Sequence, residues 1–137
     1  MNTPSGYSGT PLSKKLGIKS GMDIQMVNPP SDYEDFFKDF PMDVQINSSV
    51  SLYNLIHFFT DDKQELTSKL PQLKTQIHQN GMIWVSWPKK ASKVPTDVTE
   101  DVIRKYALEI GLVDIKVCSV NEIWSALKLV IPVKDRI

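Results

Sequence analysis

The spacing of apolar positions changes several times along the chain, and the changes divide it into alternating strands and helices. Residues 22–27 are mostly apolar, preceded by Gly21 and stopped by Asn28-Pro29-Pro30, which is the length and the punctuation of a strand. Ser31 can then cap a helix with Asp32, Glu34 and Asp35 in its first turn and Tyr33, Phe36, Phe37 and Phe40 on one face, until Pro41 stops it. Residues 43–46 alternate polar and apolar and predict a short edge strand. Residues 52–60 form a nearly continuous β-favouring run, the pattern of a mid-sheet strand covered on both faces.

Thr60-Asp61-Asp62 opens a helix carrying Leu66, Leu70, Leu73 and Ile77 on one face, with a kink expected at Pro71 and an end at Asn80-Gly81. Residues 82–87 are the next buried strand. Asp97 followed by Glu100 three residues later is a reciprocal cap for a helix containing Val98, Val102, Tyr106, Ala107 and Ile110, closed by Gly111. Residues 113–120 and 123–133 then read as two strands joined by Asn121-Glu122, a spacing that makes them antiparallel.

At the amino end, residues 1–9 supply turn formers and one aromatic, Tyr7, and predict a flexible tail. Thr10-Pro11 reads as a cap and first helical position, with one helical turn over 12–16 before Gly17. The expected fold is therefore one α/β domain over 10–137. It has a mostly parallel, open, twisted sheet, helices on both faces and a carboxyl-terminal antiparallel hairpin: a truncated Rossmann-like or methyltransferase-like arrangement.

Composition narrows the function classes. The chain of 137 residues has sixteen basic and sixteen acidic side chains, which removes the general attraction to nucleic acid, so anion binding has to be local. No apolar run reaches the ~18 residues of a membrane span, and no charged-then-apolar leader is readable. A single cysteine, Cys118, excludes an internal disulfide and leaves zinc without its usual ligand set. The expectation is a cytoplasmic protein with no membrane or nucleic-acid partner.

Several motifs carry a family resemblance. Gly6-Tyr7-Ser8-Gly9-Thr10-Pro11-Leu12, Trp87-Pro88-Lys89-Lys90-Ala91-Ser92, Asp97-Val98-Thr99-Glu100-Asp101, Gly111-Leu112-Val113-Asp114 and Trp124-Ser125-Ala126-Leu127-Lys128 resemble the bacterial domain of unknown function 3052 family, which implies no particular activity. The order of elements from Leu55 onward also resembles the carboxyl half of class I S-adenosylmethionine-dependent methyltransferases. That second resemblance implies a glycine-rich cofactor turn after the first strand and a carboxylate ending the second. This chain has Asn28-Pro29-Pro30-Ser31 at the first place, and no such carboxylate is readable at the other.

In open parallel sheets ligands bind outside the carboxyl ends of the strands. The loops expected there begin at Asn28, at Thr60 and at Trp87. Trp87, Lys89, Lys90, Ser92 and Thr96, with Asn28 and Asp61, are the candidate ligand residues, because ammonium and hydroxyl groups beside a helix start can hold a phosphate or carboxylate. The competing reading is a solvated basic loop neutralised by Asp61 and Asp62. His57 and Cys118 have no partner that can be read from the sequence and are taken as interior residues, and His78 as a helix-end residue. No catalytic residue, metal ligand or cofactor is assigned. The expected function is a non-catalytic module binding an anionic small molecule or a protein partner; the alternative is a divergent methyltransferase. A homodimer through the terminal hairpin is a further expectation.

Overall fold

The apolar run in the middle of the chain forms the centre of the sheet. β3 (Tyr53–Phe59) lies between β1 (Asp23–Val27) and β4 (Ile77–Pro88), parallel to both, and β2 (Gln45–Ile46) pairs parallel with β1 at one edge. Beyond β4 come β6 (Trp124–Val130), the one antiparallel strand, and β5 (Val113–Ser119) at the other edge, giving the order β2-β1-β3-β4-β6-β5. The structure, a computed structural model, describes residues 10–38 and 40–137; the tail expected over 1–9, with Tyr7, lies outside the described residues.

Strand alternation sends side chains to two separate cores. On one face, Ile56, Phe58, Ile83, Val85, Trp87, Leu127 and Leu129 pack against α2 (Lys63–Lys74) and α3 (Glu100–Glu109). On the other, Leu55, Phe59, Trp84 and Ala126 pack beneath α1 (Leu12–Leu16) and the segment around Tyr33. Trp84 is fully buried there and donates its indole N–H to the Leu16 carbonyl at 2.8 Å, tying α1 to the sheet. The two tryptophans of β4 therefore serve opposite faces.

Local corrections follow from backbone chemistry. The helix expected from Ser31 to Phe40 is only a 3-10 turn over Tyr33–Phe36, with Asp32 at its N-cap position but no side-chain cap bond, because prolines on both sides leave too few residues to offset helix nucleation. Its aromatics still pack as expected: Tyr33 is buried, and Phe36, Phe37 and Phe40 lean on the same core. Pro11, not Thr10, occupies the N-cap position of the amino-terminal helix, with no side-chain cap bond, and Gly17 closes the helix at φ 79°. The helix after Asp62 ends at Lys74, so Ile77 and His78 belong to β4 and His78 is not a helix-end residue. Gly81 permits that longer strand, since a Cβ there would meet the Asn54 and His78 carbonyls at 3.1 Å.

Pro71 sits inside α2 without ending it. Proline leaves the Thr67 carbonyl without its helical donor, and the Tyr106 hydroxyl of α3 supplies a replacement at 2.8 Å. The cap of α3 is Thr99, whose hydroxyl accepts from the Val102 N–H at 3.2 Å, rather than the Asp97–Glu100 pair. Asp97 instead accepts from the Lys63 N–H at 2.7 Å, serving the start of α2, and Glu100 pairs with Arg104. Arg104 also contacts Asp101 and Asp114, joining α3 to β5, and its bonds to Glu100 and then to Asp114 raise its pKa. Among the described residues no helix is long and apolar enough to cross a membrane.

Candidate functional site

The strand order reverses direction between β1 and β3, so the carboxyl ends of these two strands form the crevice where an open α/β sheet normally receives a ligand. Here the crevice is bonded to itself. Asn28, in the left-handed region at φ 56°, donates its amide to the Phe59 carbonyl at 3.4 Å and to the Glu65 carboxylate at 3.1 Å. The buried Thr60 hydroxyl also bonds Glu65, at 2.7 Å, and Lys69 pairs with Glu65 from the next turn at 3.6 Å. Glu65, in the first turn of α2, thus sits where the helix dipole favours negative charge and supplies that charge from within the chain.

The end of β2 is occupied in a similar way. Asn47 follows Ile46 at φ 53°, and its side-chain oxygen accepts from the Met26 N–H at 2.8 Å. The residue at this place is therefore an amide engaged with the neighbouring strand, not a carboxylate directed outward. Together with Asn28-Pro29-Pro30, it does not fit an S-adenosylmethionine site built on a glycine turn and an acidic strand end.

The exit of β4 has the opposite character. A groove of about 560 Å³ is lined by Trp87, Lys90, Lys93, Val94, Pro95, Thr96, Val98 and Thr99. Lys90–Ser92 forms a 3-10 turn, and Lys93 follows in the left-handed region at φ 61°, turning the chain back along the groove. Trp87 and Val98 are core residues whose edges floor it, and the start of α3 closes one end. Lys90 and Lys93 are exposed and, among the described residues, form no ion pair. The carboxylates of the α3 first turn, Glu100 and Asp101, are both held by Arg104, which leaves the helix start less negative than its sequence suggests.

The candidate residues thus separate into several places. Trp87, Lys90 and Thr96 line the groove, although the Thr96 hydroxyl also donates to the Asp61 carbonyl at 2.7 Å. Asp61 contributes its backbone there, with its side chain exposed. Ser92 turns back to the Lys89 carbonyl at 2.6 Å and stabilises the turn. Lys89 leaves the groove and reaches β5, donating to the Ser119 hydroxyl at 2.6 Å; burial, followed by the nearby Lys15 ammonium, lowers its pKa. Asn28 belongs to the closed crevice.

His57 is an interior residue. Its ring is fully buried between the Tyr33 hydroxyl, 2.9 Å from Nδ1, and the buried Ser86 hydroxyl, 2.7 Å from Nε2. Burial lowers its pKa to about 3, so the ring is neutral and bridges both hydroxyls. Burial also raises the Tyr33 pKa. The arrangement resembles a catalytic relay only in its residue types, because neither hydroxyl reaches a surface where a substrate could meet it. Cys118 is half-buried, with its thiol pKa raised by burial.

Glu65, Asn47 and the Lys89–Ser119 contact were not found by reading the sequence. Only Glu65 left a trace, as a carboxylate in a helix first turn; the other two depend on partners 21 and 30 residues away.

Comparison with known proteins agrees with this architecture. A family model described as protein of unknown function (DUF3052) matches residues 13–133. No curated protein matches the sequence. Among solved structures, the magnesium protoporphyrin IX methyltransferase of Synechocystis PCC 6803 with bound SAM is similar with a TM-score of 0.54 at 10% identity, covering 88% of this chain and 74% of that one. The CcbJ methyltransferase of Streptomyces caelestis gives 0.56 at 4% identity, covering 88% and 87%. The ribosomal protein L11 methylase of Lactobacillus delbrueckii subsp. bulgaricus gives 0.54 at 12% identity, covering 86% and 73%. At these identities the likeness concerns the fold.

Proposed function

We propose, from the premise that the chain belongs to the DUF3052 family of proteins of unknown function, that it is a non-catalytic binding module for an anionic small molecule held in the groove beside Trp87. The observation that carries this reading is the groove itself, which joins the Lys90 and Lys93 ammonium groups, the Thr96 and Thr99 hydroxyls and the start of α3 around an apolar floor. A phosphate or carboxylate at the helix start would meet N–H groups that have no partner within the helix, and the two ammonium groups would close over it. A cytoplasmic location belongs to the same reading and rests on composition alone.

A melting-shift screen with phosphate- and carboxylate-bearing small molecules tests it. The parent protein is expected to gain stability with at least one of them, and the Lys90→Ala, Lys93→Ala double variant to lose that gain. Equal shifts in parent and variant would remove the groove from consideration.

The second reading is a divergent methyltransferase, supported by the fold of the solved relatives. Asn28-Pro29-Pro30, Asn47 and the internally bonded Glu65 weigh against it. Calorimetry with S-adenosylmethionine separates the two: micromolar binding whose heat disappears on changing Asn28 or Asp61 would overturn the non-catalytic reading.

A further inference from the structure

After β1 the chain crosses the face of the sheet that carries α1 as a strap, and one side chain supplies its polar hold. The strap begins where the Asn28 amide bonds Phe59 and Glu65, and the chain is next tied down where the Asp43 carbonyl accepts from the Gly21 N–H at 3.2 Å. Over residues 29–38 the backbone bonds are local: the N–H groups of Tyr33, Asp35 and Phe37 donate to the carbonyls of Pro30, Asp32 and Glu34. Pro29 and Pro30 have no N–H to offer the sheet. Asp32, Glu34 and Asp35 are exposed and, among the described residues, form no ion pair. Among the described residues, the one hydrogen bond from this stretch to the rest of the molecule joins the Tyr33 hydroxyl to His57 Nδ1 at 2.9 Å.

The ring contacts repeat the pattern. Tyr33 meets His57 and Phe59 of β3 edge-on, each at 5.5 Å between centroids, whereas the ring contacts of the half-buried Phe36 and Phe37 are with Tyr33 and, for Phe37, with Phe40. The 3-10 turn between them has weaker hydrogen-bond geometry than an α-helix and adds little stability of its own. Few ties to the core and an exposed backbone are the marks of a segment that opens while the rest of the fold stays intact. What Tyr33 covers is fixed by the sheet instead. His57 stacks on Phe59 at 4.2 Å and meets the Ser86 hydroxyl at 2.7 Å, and the parallel pairing of β3 with β4 keeps this pair together whether or not the strap is in place.

We propose that residues 29–38 form a hinged cover latched by Tyr33, which opens in the otherwise native molecule and presents the His57–Ser86 pair to solvent. In the closed form neither hydroxyl beside His57 reaches the surface; in the open form the imidazole Nδ1 exchanges the Tyr33 hydroxyl for water, and the ring face of Phe59 is bared beside it. The cover belongs to the core opposite that of Trp87, so it stands apart from the anion-binding groove and does not rest on that reading.

The test is the rate at which diethylpyrocarbonate, which acylates unprotonated imidazole, reaches His57 at neutral pH. The chain has two histidines, so in the full-length His78→Asn protein the ultraviolet absorbance of the modified ring reports His57 alone. Access through global unfolding rises steeply with urea, roughly tenfold per molar for a domain of this size, because the whole core is exposed. Access through the cover exposes little surface, so the rate in low urea is expected to stay flat before the steep limb takes over. Adding Tyr33→Phe should raise the flat rate about fivefold, the factor that one ordinary hydrogen bond is worth. Adding Ile103→Val, a change in the opposite core, should shift only the steep limb. A rate no faster than global unfolding supplies, climbing with its slope from the lowest urea onward, would overturn the proposal. So would a flat rate that Tyr33→Phe leaves unmoved, or one that Ile103→Val raises equally.

Discussion

The exits of β3 and β4 lie side by side at the same end of the sheet and end in opposite chemistry. Beyond β3, Thr60, Glu65 and Asn28 are bonded to one another, and the carboxylate favoured by the α2 dipole comes from the helix itself. Beyond β4, the groove between Trp87 and Thr99 keeps two ammonium groups that form no ion pair among the described residues, and the acidic groups beside it are already held by Arg104. The difference teaches that a crevice can persist as architecture after its polar groups have been committed to folding. The place where topology predicts a ligand is not necessarily where the unused charge lies.

The sharpest way to break the contrast is Trp87→Ala, because this side chain belongs to the core and to the groove at once. Loss of a large buried ring should lower stability by about 3–5 kcal/mol, read from urea unfolding, and a loss under 1 kcal/mol would mean the groove floor does not rest on the core.

Acid should act on the closed side, beneath Thr60, through His57. Its pKa is about 3 in the folded protein against an ordinary 6.5, so between these values the unfolded chain binds the extra proton and stability falls as pH is lowered. The slope attributable to this residue should approach about 1.4 kcal/mol per pH unit below pH 6, and a His57→Asn variant should lose it. An unchanged slope in that variant would place the titration elsewhere.

Glu65→Ala should cost about 1–3 kcal/mol, since it leaves the buried Thr60 hydroxyl and the Asn28 amide without their shared acceptor. A neutral result would show that water replaces the carboxylate and that the crevice is open. The smallest effect belongs to Lys90→Ala with Lys93→Ala, expected to stay within about 0.5 kcal/mol of the parent in the absence of ligand, as exposed charges without partners do.

Most of the sheet was legible because its signals are local. The continuous run around Ile56 and Phe58 identified a doubly covered strand, Gly17 and Gly111 marked helix ends, and the short connection at Asn121-Glu122 required an antiparallel pair. The stretch from Ser31 to Phe40 misled because aromatic spacing records which side chains are buried, not whether the backbone between two prolines is long enough to close a helix. Capping failed at Asp97 for a related reason: Thr99 offered the same chemistry two residues later, and register followed the packing of Ile103 and Ala107. The candidate residues from Trp87 to Thr96 formed one string in the sequence but separate in space, because the 3-10 turn at Lys90–Ser92 sends Lys89 toward β5 and Lys90 toward the groove. No spacing rule records that division.

The bond from the Lys63 N–H to Asp97 spans 34 residues, and with it the first turn of one helix is completed by the segment leading into the next. It has a kinetic meaning as well as a structural one. α2 precedes this partner along the chain, so the segment approaching α3 must return before the Lys63 amide is protected. Solvent exchange at that single amide therefore follows the seating of the groove segment in an otherwise native molecule, and a ligand held there would be sensed at the start of α2 without touching it.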